Sequence, residues 1–208
     1  MPPEVPLGVG AAFIAYPRGM EGAGAAGDSA WVAATLFRDR KMLGSVVLQG
    51  QAGAGYVPGL LALREGRIVE DALRALWHET AEDPHDVALV NATGRDHPRR
   101  AGLALHVGAV VDIPTVGVTD RPLLATGADP EPSRGAASPL MIDGEVVGYL
   151  VRTNPRARPL AVHAAWRTSP DVAREVVMKM AWRSRTPEPL RQARRLARTA
   201  RGREGEGR

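Results

Sequence analysis

The chain of 208 residues contains no cysteine, which excludes disulfides, thiolate catalysis and cysteine metal sites together. Lysine is nearly absent too: Lys41 and Lys179 are the only two. That bias accompanies abundant Ala, Gly and Pro, and it points to GC-rich coding more than to selection for phosphate contacts. No apolar run approaches the roughly 20 residues needed to cross a bilayer. No basic region followed by an apolar stretch marks a signal peptide at the N-terminus. The expected location is therefore the cytoplasm of a bacterium, with no membrane partner. Gly-x-Ser-x-Gly, zinc-ligand spacing and a dinucleotide fingerprint are all missing. The Gly-rich stretch 17–29 has no Gly-Lys-Ser/Thr and no helix after it, so it reads as a hairpin loop and not as a phosphate cradle.

What is present suits one medium-sized domain with a proper core, expected over residues 1–200 with a disordered basic tail at 201–208. The sequence pI is near 10.1, but the basicity is local. From Arg183 onward nine arginines face three glutamates; this tail is +6 against +4 for the whole chain, leaving about −2 before it. A basic C-terminal arm of this kind either touches nucleic acid or forms a solvated helix.

Strands are expected at 7–16, 30–38 and 41–49. Residues 67–80 carry Ile68, Ala72, Leu73, Leu76 and Trp77 at helical spacing. A strand over 86–91 then leads to a helix over 98–110 with Pro98 in its first turn. A short strand at 114–118 and a Pro/Gly-rich loop at 120–138 follow. The loop is too long to be idle. Asp143-Gly144 signals a hairpin. One more strand at 159–164 precedes helices near 170–182 and 187–200. Three consecutive strands, then strands alternating with helices, give a mixed α/β sheet covered on both faces.

Three segments are more specific: Tyr56-Val-Pro-Gly-Leu-Leu-Ala-Leu-Arg-Glu65, His97-Pro-Arg-Arg-Ala-Gly102 and Asp112-Ile-Pro-Thr-Val-Gly117. In this order and spacing they resemble the endonuclease V family, which nicks nucleic acid near deaminated bases. The resemblance implies a ribonuclease H-like mixed sheet flanked by helices. It also implies a Mg²⁺ held between carboxylates, where the ion polarises the phosphate and activates water. Because the chain enters its first strand within seven residues, the family's N-terminal helix is expected to be missing. Exposed apolar surface is then expected, covered by a second chain or by self-association.

Where the family has an aspartate in the first strand, this chain has Gly10. The glutamate that closes the first segment is kept as Glu65. The fourth-strand aspartate is Asn91, and the histidine two residues later is Thr93. The histidine before Pro-Arg-Arg is kept as His97. The lysine that serves the phosphate is replaced by Asp120, and a late Gly-His-Arg appears as Ala165-Trp166-Arg167. One carboxylate of three remains, and Asn91 cannot neutralise an ion. Asp120 would repel a phosphate by roughly 1 kcal/mol at about 4 Å in water and by several times that in a shielded cleft. No metal ligand and no cofactor are expected.

The expected catalytic set is Glu65, His97, Asn91 and Asp120. The expected substrate contacts are Tyr56, Pro58, Gly59, Thr93, Asp96, Arg99, Arg100 and Arg121. Tyr56-Val57-Pro58-Gly59 resembles a wedge that enters a duplex when a base is turned out; the alternative is a rigid loop around a buried tyrosine. Arg99 and Arg100 either bind an anion bidentately or pair with nearby acids. His97 between Asp96 and Pro98, at a strand-to-helix junction, is an acid/base candidate. Asp112 and Thr115 are expected to order a turn. Asp28, His78 and His163 are assigned solvated or core roles.

Two main readings follow. In the first, a metal-independent enzyme does acid/base chemistry on a small substrate, in specialised biosynthesis. In the second, a non-cutting protein recognises inosine in DNA or RNA through the Tyr56 wedge and the basic C-terminal helix. A scaffold subunit and a surviving nuclease are the remaining alternatives.

Overall fold

The computed structural model describes residues 6–19 and 23–205. Runs of small and β-branched residues build its central strands. β1 (Gly8–Ala15) is buried almost throughout, as a strand covered on both faces must be. β2 (Ser29–Arg38) and β3 (Lys41–Gln51) continue it as an antiparallel meander. α1 (Leu61–Glu79) then crosses to β4 (Val87–Val90), which pairs parallel with β1. α2 (Leu103–Val111) leads to β5 (Thr115–Thr119), parallel to β4. The hairpin β6 (Ala137–Ile142) and β7 (Glu145–Val151) and the strand β8 (Leu160–Ala164) complete one sheet of order β3-β2-β1-β4-β5-β8-β7-β6. α3 (Pro170–Met180) and α4 (Glu188–Gly205) close the chain.

The strand period of two sorts the core into layers. Ala12, Ala88 and Val90 face α1 and α2, packing with Leu73, Leu76 and Val107. Val9, Leu89 and Val116 face the other way, onto Val176 and Val177 of α3 and Leu190 of α4. Further along β1 on that side, Phe13 and Ala15 meet Ala193 and Ala197 of α4. The result is the expected mixed sheet between two helical layers.

Several boundaries differ from the sequence expectation. α1 starts at Leu61 and not at 67, so Glu65 lies inside a helix. α2 starts only after Gly102. Residues 98–101 are loop because Arg100 takes a left-handed φ of 54°, which no helix interior allows. Gly102 is required there, since a Cβ would stand 2.3 Å from the Thr93 carbonyl oxygen. α4 runs on through Arg201 to Gly205, where a disordered tail was expected, and it packs on the sheet. Residues 206–208, and residues 20–22 of the first loop, lie outside the described residues.

Asp112 does cap a turn, at φ 59°, and pairs with Arg167 at 2.9 Å. Thr115 is instead a buried strand residue whose hydroxyl fastens the Ala104 carbonyl of α2 at 2.8 Å. Trp31, Val47, Leu196 and Ala200 line a surface groove between the meander and α4, with Arg195 and Arg203 at its rim. Among the described residues, no helix is long and apolar enough to cross a membrane.

Candidate functional site

Asn91 directly follows β4 and Thr119 closes β5. Both therefore stand at the carboxyl ends of adjacent parallel strands, where open α/β sheets bind ligands. A slot of about 200 Å³ opens there. Leu61 of α1, Leu103 of α2 and Leu123 supply apolar walls; Asn91, Thr93 and Thr119 supply polar edges. No Asp, Glu, Lys or Arg is among its lining residues. It suits a flat, uncharged group with hydrogen-bonding edges.

The loop Tyr56–Gly59 forms the lip. Tyr56 and Val57 are 45% and 48% exposed, so this tyrosine is presented to solvent and is not the core of a rigid loop. Pro58 is exposed and outside the lining. Gly59 has φ +75°, which costs a side chain roughly 1 kcal/mol. Its carbonyl is held by His97 Nε2 at 3.1 Å and by Arg99 Nη1 at 3.1 Å. His97 Nδ1 accepts from the Arg99 backbone N–H at 3.2 Å, so Nε2 is the nitrogen that donates to Gly59. Both ring nitrogens are engaged. His97 is a loop fastener at the slot wall, and no lone pair is left for proton transfer. Gly59→Ala is expected to cost about 1 kcal/mol of stability, read as a lower thermal midpoint.

Glu65 faces away from the slot lining, towards Tyr16 at the exit of β1. It is buried, and burial pushes its carboxyl up to about 7 although the Tyr16 hydroxyl and Arg64 act to lower it. The Tyr16 hydroxyl stands beside it without the geometry of a full hydrogen bond. Arg64, 3% exposed, stacks over the Tyr16 ring at 4.4 Å and bonds Asp28 at 2.8 Å and the Ala25 and Ala54 carbonyls at 2.8 Å each. Asp28 is thus a partner of a buried cation and not a solvated residue. This cluster ties the first loop to α1. The sequence reading singled out neither Tyr16 nor Arg64. The available signal for Arg64 was an arginine on the same helical face as Ile68 in α1.

The remaining expected residues disperse. Asp96 is fully buried and accepts three backbone N–H groups, Leu123 at 2.6 Å and Leu124 and Ala125 at 2.8 Å. It therefore anchors the 120–138 loop and cannot contact a substrate. His163, fully buried, lies with Nδ1 3.7 Å from Asp96 and Nε2 2.9 Å from the Thr119 hydroxyl. Burial holds its imidazole well below the ordinary range. Arg100 reaches the β6–β7 turn, pairing with Asp143 at 3.0 Å, and has left the slot. Asp120 forms an ion pair with Arg185 in a shallow pocket it shares with Arg121 and Arg158. Three cations share this pocket with one anion, so its four side chains sum to +2 where the sequence reading considered Asp120 alone.

The donor set does not fit a Mg²⁺ ion, which needs several hard, ionised oxygens. Register pairs Gly10 with Ala88 and Ala12 with Val90, so Gly10 lies well below the level of Asn91. The residues of β1 that reach this level are Phe13 and Ile14. Residues 8–16 contain no carboxylate at any position, so the conclusion does not depend on which residue is matched to the family's aspartate. Among the described residues, no group of three His, Asp or Glu could hold a metal.

Comparison with known proteins agrees with the fold. The family model described as Endonuclease V matches residues 11–195. Endonuclease V of Methanopyrus kandleri is 43% identical over 164 residues, covering 78% of this chain and 68% of that protein. The crystal structure of Endonuclease V from Streptomyces avermitilis superposes with a TM-score of 0.84 at 30% identity, covering 98% of this chain and 85% of that one. A more distant fold relative is Endonuclease V of Ciona intestinalis, solved in complex with DNA containing an inosine followed by a ribo-adenosine. It has a TM-score of 0.78 at 19% identity, covering 95% of this chain and 86% of that one. With its ribonuclease H-like sheet, its exposed Tyr56 loop and its His97-Pro-Arg-Arg turn, the chain belongs to the endonuclease V family.

Proposed function

We propose that this protein receives a deaminated base turned out of a nucleic-acid strand and does not cut that strand by the metal-dependent route. The observation that carries this reading is the contrast between two halves of one site. An uncharged slot stands behind an exposed tyrosine, whereas the place for the ion has a single buried carboxyl. A base offers a flat apolar face for Leu61 and Leu103, and edges for Asn91, Thr93 and Thr119. Tyr56 can fill the gap that the base leaves in the stack.

Acid/base catalysis on a small substrate finds less support. It requires Glu65, His97 and Asp120 to converge. Glu65 turns to Tyr16, both nitrogens of His97 are bonded, and Asp120 is bound to Arg185 outside the slot.

The test is fluorescence anisotropy in EDTA, with single-stranded oligonucleotides of ~20 nucleotides carrying either a central deoxyinosine or a central deoxyadenosine. Preference for deoxyinosine is expected. Tyr56→Ala should weaken binding about tenfold, the size of one lost base–aromatic stack. Equal binding of the two oligonucleotides, or nicking of the deoxyinosine strand when Mg²⁺ is added, would refute the reading.

A further inference from the structure

The pocket beside the slot, about 420 Å³ and lined by Asp120, Arg121, Arg158 and Arg185, carries a net charge of +2 on its four side chains. It begins one residue beyond Thr119, which lines the slot. Arg185 is fully pinned: Nη1 on Asp120, Nε on the Arg158 carbonyl at 2.7 Å and Nη2 on the Pro159 carbonyl at 2.8 Å. Asp120 is thus consumed by one arginine and fixes it, while that arginine fixes the backbone that carries Arg158. Arg121 and Arg158 are exposed, and among the described residues neither guanidinium has a hydrogen bond or an ion pair.

The positive charge continues onto α4. Arg194 and Arg198 lie over the Phe13 ring at 5.1 and 5.9 Å. The Arg194 Nε is buried without a partner. Arg194 loses protons more readily than an ordinary arginine, through burial first and then through Arg198 and Arg185, with Asp120 alone opposing. Cations held against one another in this way are stabilised by an anion placed between them.

We propose that Arg121 and Arg158, which line the pocket with the Arg185–Asp120 pair, bind a backbone phosphate of the strand whose base occupies the slot. Guanidinium groups suit this task because their planar forks match phosphate oxygens in pairs. Asp120 acts as a positioning residue: it sets Arg185 and, through it, Arg158. The proposal rests on the base-binding reading only in taking a nucleic-acid strand as the carrier of the phosphate.

The experiment uses the full chain and the same two oligonucleotides, titrated across a series of salt concentrations. The double variant Arg121→Ala/Arg158→Ala removes two exposed side chains without partners, so folding is spared. Arg40→Ala, on the β2–β3 turn at the other end of the sheet, is the control. Loss of two phosphate contacts should flatten the plot of log affinity against log salt by about 1.4 and weaken binding about 25-fold at about 0.1 M salt. Both oligonucleotides should suffer alike, and the control should change neither quantity. An unchanged salt slope in the double variant overturns the proposal. Displacement of the strand by inorganic tripolyphosphate at concentrations below that of the strand itself also overturns it, by assigning the site to free polyphosphate. If the strands bind without preference for deoxyinosine and the double variant still weakens both, the phosphate site stands and the base reading falls.

Discussion

Replacing Asp96 by alanine should cost about 3–5 kcal/mol of folding stability, the penalty for breaking a buried, hydrogen-bonded charge network. The carboxylate has no exposure and holds three consecutive backbone N–H groups. Alanine would orphan all three, and the Ala125 N–H is buried. Charge-assisted bonds of this length are the strong ones. Asp96→Asn keeps one acceptor oxygen, so a smaller loss is expected. The checks are the urea midpoint at constant m-value and hydrogen exchange at residues 123–125, which should lose protection. A loss below about 1 kcal/mol would show that the loop is held by other contacts.

The second large effect is a pH dependence. Burial lifts Glu65 from 4.5 to about 7, so the folded chain keeps a proton that the unfolded chain releases. Stability therefore falls as pH rises from about 4.5 through 7, and it stays low above. The full fall amounts to roughly 3 kcal/mol. Glu65→Gln should abolish it, leaving the variant more stable than the parent by about that amount at pH 8 and similar to it at pH 4. His163 works in the opposite sense. Its folded-state affinity for protons is depressed below the ordinary 6.5, so unfolding at lower pH takes up a proton, and stability rises as pH climbs towards 6.5. In the parent the two slopes oppose each other below that point. In Glu65→Gln the rise from His163 should stand alone in denaturation curves across the range. A Glu65→Gln profile parallel to the parent would show that Glu65 ionises normally in its cluster.

Much of the fold was legible because its signals are local. The continuous apolar runs of β1 and β2 and the Asp143-Gly144 turn each sit within a few residues. Tyr56 and His97, from two of the three segments, come together with Asn91 and Thr93 along one slot. What escaped was pairing at a distance. Asp96 finds the backbone at 123–125, Asp120 finds Arg185, and His163 lies against both Asp96 and Thr119. Nothing near Asp120 in the chain reveals that a cation 65 positions later will claim it. The late start of α2 was hidden for another reason: Arg100 adopts a glycine-like backbone angle, and its residue type does not announce it. The early start of α1 was obscured by Gly66, which reads as a break but sits against His106 of α2.

The contact of α4 with the sheet rests on Ala193 and Ala197 against Ala15 and Ala33. Methyl groups on both sides let the two layers lie at nearly their minimum spacing. That closeness is what brings the guanidinium groups of Arg194 and Arg198 over the Phe13 ring. The alanines thus act as a shim of fixed thickness. A leucine at position 197 would lift the helix and carry the guanidinium groups off their aromatic seat, dispersing the positive rim although no charged residue had been altered.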